Sequence, residues 1–244
     1  MPTILPAKDR LIFALDVPSA KDAQQCIQDL EGIVTFFKIG LELFVASGMD
    51  VLIELQDRGC RIFLDLKMQD VDETIRRAVA AATQRGVDFL TIQGGAATNK
   101  AAKLGRGDSK CQLLSVPLLS SFAEDDLRDL HLIGPSTDFQ PRFSSLDEYV
   151  LWRAGEALDT GCDGLIGSGE YVGKFRQSFP QALIVSPAIR PPGSSTDEHK
   201  RFLTPAEAIK AGADFLVVGR PIRDATNRKE AAQAIIQDME AALE

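Results

Sequence analysis

Residues 60–70 read Cys60-Arg-Ile-Phe-Leu-Asp-Leu-Lys-Met-Gln-Asp70, an apolar run that closes on three charged side chains. Successive side chains of a strand point to opposite faces, so Asp65 and Lys67 share one face, and Asp70 follows in the turn or the first helical residues. Two carboxylates could thus flank one ammonium. The run is too continuously apolar for a half-exposed strand, and burial on both faces marks a parallel strand covered by helices. The pattern returns along the chain: residues 11–17, 35–39, 61–66, 89–93, 112–118, 164–167, 183–186 and 215–219 form eight such runs, separated by segments of helical periodicity. Eight parallel strands in 244 residues predict an α/β protein, a single (β/α)8 TIM barrel spanning residues 1–244.

The intervening segments agree with that count. Ser19 is placed to cap a helix running to residue 30, residues 71–85 carry apolar side chains at helical spacing, and residues 225–243 form a long amphipathic stretch. Gly134, Pro135, Pro141 and several serines predict an extended loop over residues 131–146, after the fifth strand. A second loop, residues 190–203, follows the seventh strand and is a candidate lid.

The charge balance narrows the partners. With 35 acidic and 27 basic residues the net charge is -8, which disfavours nucleic acid and anionic membranes, although a local cationic pocket still suits an anionic small molecule. Cys26, Cys60, Cys111 and Cys162 are far apart and lack zinc or redox spacing, so they read as reduced, mostly buried thiols. The amino terminus lacks a targeting pattern, and no run approaches the roughly 18 consecutive apolar residues of a membrane span. A cytoplasmic protein with no membrane partner is expected. His131 and His199, the two histidines, adjoin no nucleophile motif.

Polar residues gather where the predicted strands end: Asp16, Lys38, Asp65 with Lys67, Gln93, Ser120 with Ser121, Ser168, Arg190, and Gly219 with Arg220. In a barrel the loops after those ends build the active site, so Asp and Lys from adjacent strands would form one charged network. Carboxylate neighbours keep Lys67 charged, and the set would repel a further carboxylate while offering its site a proton. That chemistry suits decarboxylation. Arg190, Gly219 and Arg220 follow strands seven and eight, where this architecture habitually holds phosphate. The sequence shows no pyridoxal or thiamine signature and no metal-ligand spacing, so neither cofactor nor metal is expected.

In order along the chain, Leu15-Asp16-Val17, Phe37-Lys38-Ile39-Gly40, Asp65-Leu66-Lys67-Met68-Gln69-Asp70, Ser186-Pro187-Ala188-Ile189-Arg190-Pro191 and Val218-Gly219-Arg220-Pro221 closely resemble the orotidine 5′-monophosphate decarboxylases. The resemblance implies decarboxylation of orotidine 5′-monophosphate to uridine 5′-monophosphate, the last step of de novo pyrimidine synthesis, without a cofactor. It implies Lys38, Asp65, Lys67 and Asp70 as the catalytic network, with Lys67 as proton donor to C6. Substrate binding would fall to Asp16 and Lys38 at the ribose, Ser121 at the pyrimidine, and Arg190, Gly219 and Arg220 at the phosphate, with Thr74, Pro187 and His199 completing the set. Asp70 and Thr74 would serve the neighbouring subunit, so a homodimer with shared active sites is implied. This chain carries Val71-Asp72-Glu73 where the family usually has Ile-Pro-Asn, Gln93 for a histidine, Ala188 for a glycine and His199 for a glutamine. Two alternatives remain: a magnesium-dependent hexulose-phosphate synthase or keto-gulonate-phosphate decarboxylase, which usually has a glutamate at the position of Lys38, and a non-catalytic nucleotide-phosphate-binding barrel.

Overall fold

A computed structural model describes residues 5–119, 121–122, 124–130, 132–133, 142–192 and 202–243. Eight parallel strands, β1 (Leu11–Ala14), β2 (Phe36–Gly40), β3 (Arg61–Met68), β4 (Phe89–Ile92), β5 (Gln112–Ser115), β6 (Gly164–Ile166), β7 (Leu183–Ser186) and β8 (Phe215–Val218), pair in chain order. β8 returns to β1 and closes the barrel, as the eight runs predict. Five expected runs extend one to three residues past the end of their strands, whereas β2 and β3 run one and two residues beyond theirs and β7 matches.

Ser19 caps helix Ala20–Asp29 by accepting the Asp22 N–H, as its position after a strand suggested. A helix over Asp72–Gln84 follows β3. The carboxy-terminal helix is Arg228–Leu243 and starts three residues later than expected, because a short helix, Arg220–Arg223, intervenes and Asn227 accepts the Glu230 N–H. Of the expected loop at 131–146, residues 131 and 134–141 lie outside the described residues. A short helix, Glu124–Asp129, precedes it, and Ser145 caps the next, Leu146–Thr160. Of the loop at 190–203, residues 193–201 lie outside the described residues, His199 among them. Its two ends are joined by a bridge between Ile189 and Leu203 and by the Arg190 N–H donating to the Leu203 carbonyl at 2.9 Å.

The barrel interior explains why the site lies at one end. Phe36, Phe89 and Phe215 open β2, β4 and β8, and their rings meet edge to face at 5.0–5.8 Å. The fourth even strand opens with Gly164, where a Cβ would collide with the Leu183 carbonyl. Three aromatic rings therefore fill a layer that four side chains usually share. The Arg61 guanidinium lies 4.1 Å from the Phe36 ring centroid and caps the layer. Burying side chains of this size contributes roughly 1.5–3 kcal/mol each.

A tripeptide pattern sets the register of this lower end. Gly86-Val-Asp88, Gly161-Cys-Asp163 and Gly212-Ala-Asp214 precede β4, β6 and β8. Each aspartate accepts a backbone N–H from the preceding strand at 2.8 Å: Ile62 to Asp88, Leu113 to Asp163, Ile184 to Asp214. Each also pairs with an arginine, respectively Arg61, Arg106 and Arg176. Polar groups at this end are consumed by structure, which leaves the carboxyl ends of the strands for chemistry.

Candidate active site

Continuing inward at a period of two from the phenylalanine layer, the strands place polar side chains above it. β2 runs from Phe36 to Lys38, β3 from Phe63 to Asp65, β4 from Phe89 to Thr91 and β1 from Ala14 to Asp16. Asp16, Lys38 and Asp65 face a cavity of about 550 Å³ that Lys67 also lines, whereas Thr91 lies outside its lining. Pro187 and Arg190 after β7, with Gly219 and Arg220 after β8, complete the lining, Gly219 standing next to Asp16. Leu118, Leu119 and Ile166 give it an apolar wall.

The charges form a chain. Asp16 Oδ1 accepts from Lys38 Nζ at 2.8 Å, Lys38 Nζ lies 3.6 Å from Asp65 Oδ2, and Asp65 Oδ1 accepts from Lys67 Nζ at 2.8 Å. Lys38 is buried, whereas Lys67 keeps about a third of its side chain exposed toward the cavity. Burial alone would push the Asp65 carboxyl up, but the two ammoniums and the hydrogen bonds from Lys67 and Thr91 more than reverse this and hold it below the ordinary aspartate range. Asp65 is thus a carboxylate at neutral pH, locked between two cations.

The backbone at this point is not a regular strand. Leu64 pairs with Leu90 and Met68 with Ile92, so β3 spends four residues where β4 spends two. Lys67 lies in that expansion with φ of +48°, a left-handed conformation that costs a non-glycine residue about 1–2 kcal/mol. Ala188 in the cavity lining has φ of +61°, again without a glycine. Backbone strain of this kind concentrates where a side chain must be aimed.

Several expected residues lie elsewhere in this chain. Asp70 is exposed and absent from the cavity lining, and its Oδ1 accepts the Val71 N–H at 2.7 Å. Two carboxylates do not flank Lys67 within one subunit: the residues after the expansion carry Asp70 outward rather than into the turn above the site. Thr74 is exposed on helix Asp72–Gln84, Ser121 is exposed beyond the cavity wall, and Gln93 does not line the cavity. Ser168 lines it and is buried. Glu73, one of the unusual residues after Asp70, is held down to about 2 by hydrogen bonds from Arg76 and Arg77.

Three participants escaped the sequence reading. Arg223 lines the cavity, donates to the Asp16 carbonyl at 2.8 Å and pairs with Asp224, tying the β8 loop to the end of β1. Gly40 lies beside the Asp16–Lys38 pair, and a Cβ there would stand 3.0 Å from Lys38 Nζ and 3.1 Å from Asp16 Oδ1. Thr91 is almost wholly buried under Asp65. The period-two rule, carried one step past Phe89, would have found Thr91. Among the described residues no three His, Cys, Asp or Glu side chains gather as a metal-binding group.

The sequence profile of the orotidine 5′-phosphate decarboxylase / HUMPS family matches residues 9–235. The chain belongs to this family. Within it, the chain is 41% identical over 238 residues to an orotidine 5′-phosphate decarboxylase of Nitrobacter winogradskyi, covering 97% of this chain and 95% of that one. It is 43% identical over 244 residues to the orotidine 5′-phosphate decarboxylase of Methylococcus capsulatus, covering 98% and 96%. The crystal structure of orotidine 5′-phosphate decarboxylase from Lactobacillus acidophilus superposes with a TM-score of 0.79 at 33% identity, over 95% of this chain and 99% of that one. Among orotidine 5′-phosphate decarboxylase / HUMPS barrels, then, this one carries a Lys-Asp-Lys chain in a cavity that two arginines also line.

Proposed function

We propose that this protein decarboxylates orotidine 5′-monophosphate to uridine 5′-monophosphate, as its relatives' names indicate for them, and does so without a cofactor. The observation that carries the reading is Asp65 held between Lys38 and Lys67 in the lining of a cavity that Arg190 and Arg220 also line. An anion fits such a lining despite the chain's net charge of -8. In this proposal Arg190, Gly219 and Arg220 take the 5′-phosphate, Asp16 and Lys38 the ribose hydroxyls, and Pro187 packs against the nucleotide.

The reacting carboxylate then lies toward Asp65, and C6 toward Lys67. Breaking the C6–CO2 bond leaves its electron pair on C6, where the Lys67 ammonium stabilises the charge and then supplies the proton that forms the C6–H bond. Lys67, left neutral, regains a proton from solvent. Rate enhancements correspond to roughly 8–23 kcal/mol of barrier reduction, and a carbanion with no adjacent carbonyl demands the upper part of that range from electrostatics.

Asp70 and Thr74 are exposed on the outer surface, and in this proposal they complete the site of a second copy in a homodimer. Exposed Leu41 and Val45, on the helix Leu41–Ser47 after β2, and Val71, at the start of the helix after β3, supply apolar surface that a subunit contact would bury. Ser121 would reach the pyrimidine only if its segment moved inward, and His199 remains a phosphate-loop candidate. A magnesium-dependent reaction is disfavoured by the Lys38 ammonium, 3.6 Å from the Asp65 carboxylate that would have to help hold the cation. The test is the loss of pyrimidine absorbance on adding orotidine 5′-monophosphate after exhaustive chelation. Sustained turnover is expected; no turnover, or strict dependence on added magnesium, would overturn the proposal.

A further inference from the structure

Thr91 carries no charge, yet it touches the charged chain twice and helps hold Asp65 ionised. Its hydroxyl donates to Asp65 Oδ1 at 2.9 Å and accepts the Lys67 backbone N–H at 2.9 Å. Both distances are those of full-strength hydrogen bonds, and a hydroxyl has a single proton to give, so donor and acceptor roles are fixed by these partners. Thr91 lies on β4 opposite the stretch where β3 spends two extra residues, between the pairs Leu64–Leu90 and Met68–Ile92. At only 1% exposure it meets no competing water.

The consequence is a closed ring. The Lys67 backbone binds the Thr91 oxygen, the Thr91 hydroxyl binds Asp65 Oδ1, and the same Oδ1 receives Lys67 Nζ at 2.8 Å. Main chain and side chain of Lys67 are thereby anchored to one carboxylate oxygen. Lys67 is also the residue with φ of +48°, a conformation that persists only where neighbours over-determine it.

We propose that Thr91 is a positioning residue that holds Lys67 in its strained conformation and fixes the Asp65–Lys67 geometry on which turnover depends. It acts through those two residues, and no contact with substrate is needed. The proposal rests on the decarboxylase reading for its kinetic consequence but not for its structural one.

Thr91→Val keeps the shape and removes both hydrogen bonds, whereas Thr91→Ser keeps the hydroxyl. Turnover of orotidine 5′-monophosphate and the titration of the Asp65 carboxyl by carbon NMR are measured for both variants and the parent. For Thr91→Val, kcat is expected to fall about 10–100-fold, the range for losing an outer support of a reactive group, with KM changed by less than about 3-fold. The Asp65 titration moves upward, because a hydrogen bond to its charged form is gone. Thr91→Ser recovers most of both. Overturning results are a kcat within about 2-fold of the parent for Thr91→Val, an Asp65 titration that does not move, or a serine variant as impaired as valine. A parent protein that binds but does not turn over orotidine 5′-monophosphate refutes the decarboxylase reading, and the NMR titration then decides the role of Thr91 alone.

Discussion

Replacing Asp65 by asparagine removes one charge and leaves two ammoniums facing each other across its position. Lys67 Nζ is 2.8 Å from one oxygen and Lys38 Nζ 3.6 Å from the other. At an effective dielectric near 20 those separations correspond to gross attractions of about 6 and about 5 kcal/mol. Desolvation of three charged groups offsets much of this, and Lys38 retains Asp16 at 2.8 Å. The asparagine must also turn its NH2 toward one of the ammoniums, since only one of its two polar atoms accepts. Because Asp65 keeps 15% of its side chain exposed, the expected net loss is about 2–4 kcal/mol, slightly below the usual cost of orphaning a buried charge. The sign with pH follows from the depressed carboxyl. The stabilisation is present in full above the unfolded value near 3.9 and is lost as pH falls through the lower folded value. Urea denaturation of both proteins should therefore give a constant gap between about pH 5 and 8 that narrows below about pH 4. Equal stability at pH 7, or a gap that persists undiminished below pH 4, would refute the account of Asp65 as a carboxylate clamped by two cations.

Other outcomes follow from single contacts. Gly40→Ala has an unstrained backbone but pushes a methyl to 3.0 Å from Lys38 Nζ, so steady-state kinetics should show kcat/KM lowered by about 3–10-fold with stability nearly unchanged. Asp214→Ala strips the acceptor from the fully buried Ile184 N–H and the partner from Arg176, costing about 1–3 kcal/mol by denaturation while kcat stays at the parent value. Turnover of the phosphate-free nucleoside should show kcat itself lowered by at least about 10-fold, because energy from the Arg190 and Arg220 end is used to orient the base; a raised KM alone would contradict this.

The sequence made the barrel readable because eight strands buried on both faces leave eight apolar runs, a number that in this length favours closure over an open sheet. It also made Asp65, Lys67 and Lys38 readable, since alternation aims them inward whatever the detailed backbone. What it did not disclose are features set by non-local pairing. The aspartates before β4, β6 and β8 bond back to the strand before them, a contact that no local periodicity displays. Among the described residues the non-glycine ones with positive φ are Lys67 and Ala188, types that carry no signal for that conformation. Spacing alone would set Asp70 beside Lys67, whereas it is exposed, in keeping with the role in a neighbouring subunit that the resemblance implies. Alternation from Phe89 points Thr91 inward, but only the placement of β3 shows its bonds to Asp65 and Lys67.

The central claim is that Lys67 supplies both the charge and the proton for the reaction at C6. The most direct measurement is the absorbance loss of orotidine 5′-monophosphate with Lys67→Ala, alongside a thermal melt and nucleotide binding to show that the fold and pocket persist. The account predicts turnover reduced by several orders of magnitude, in keeping with the loss of both a proton donor and a transition-state charge. Turnover close to that of the parent protein would contradict it.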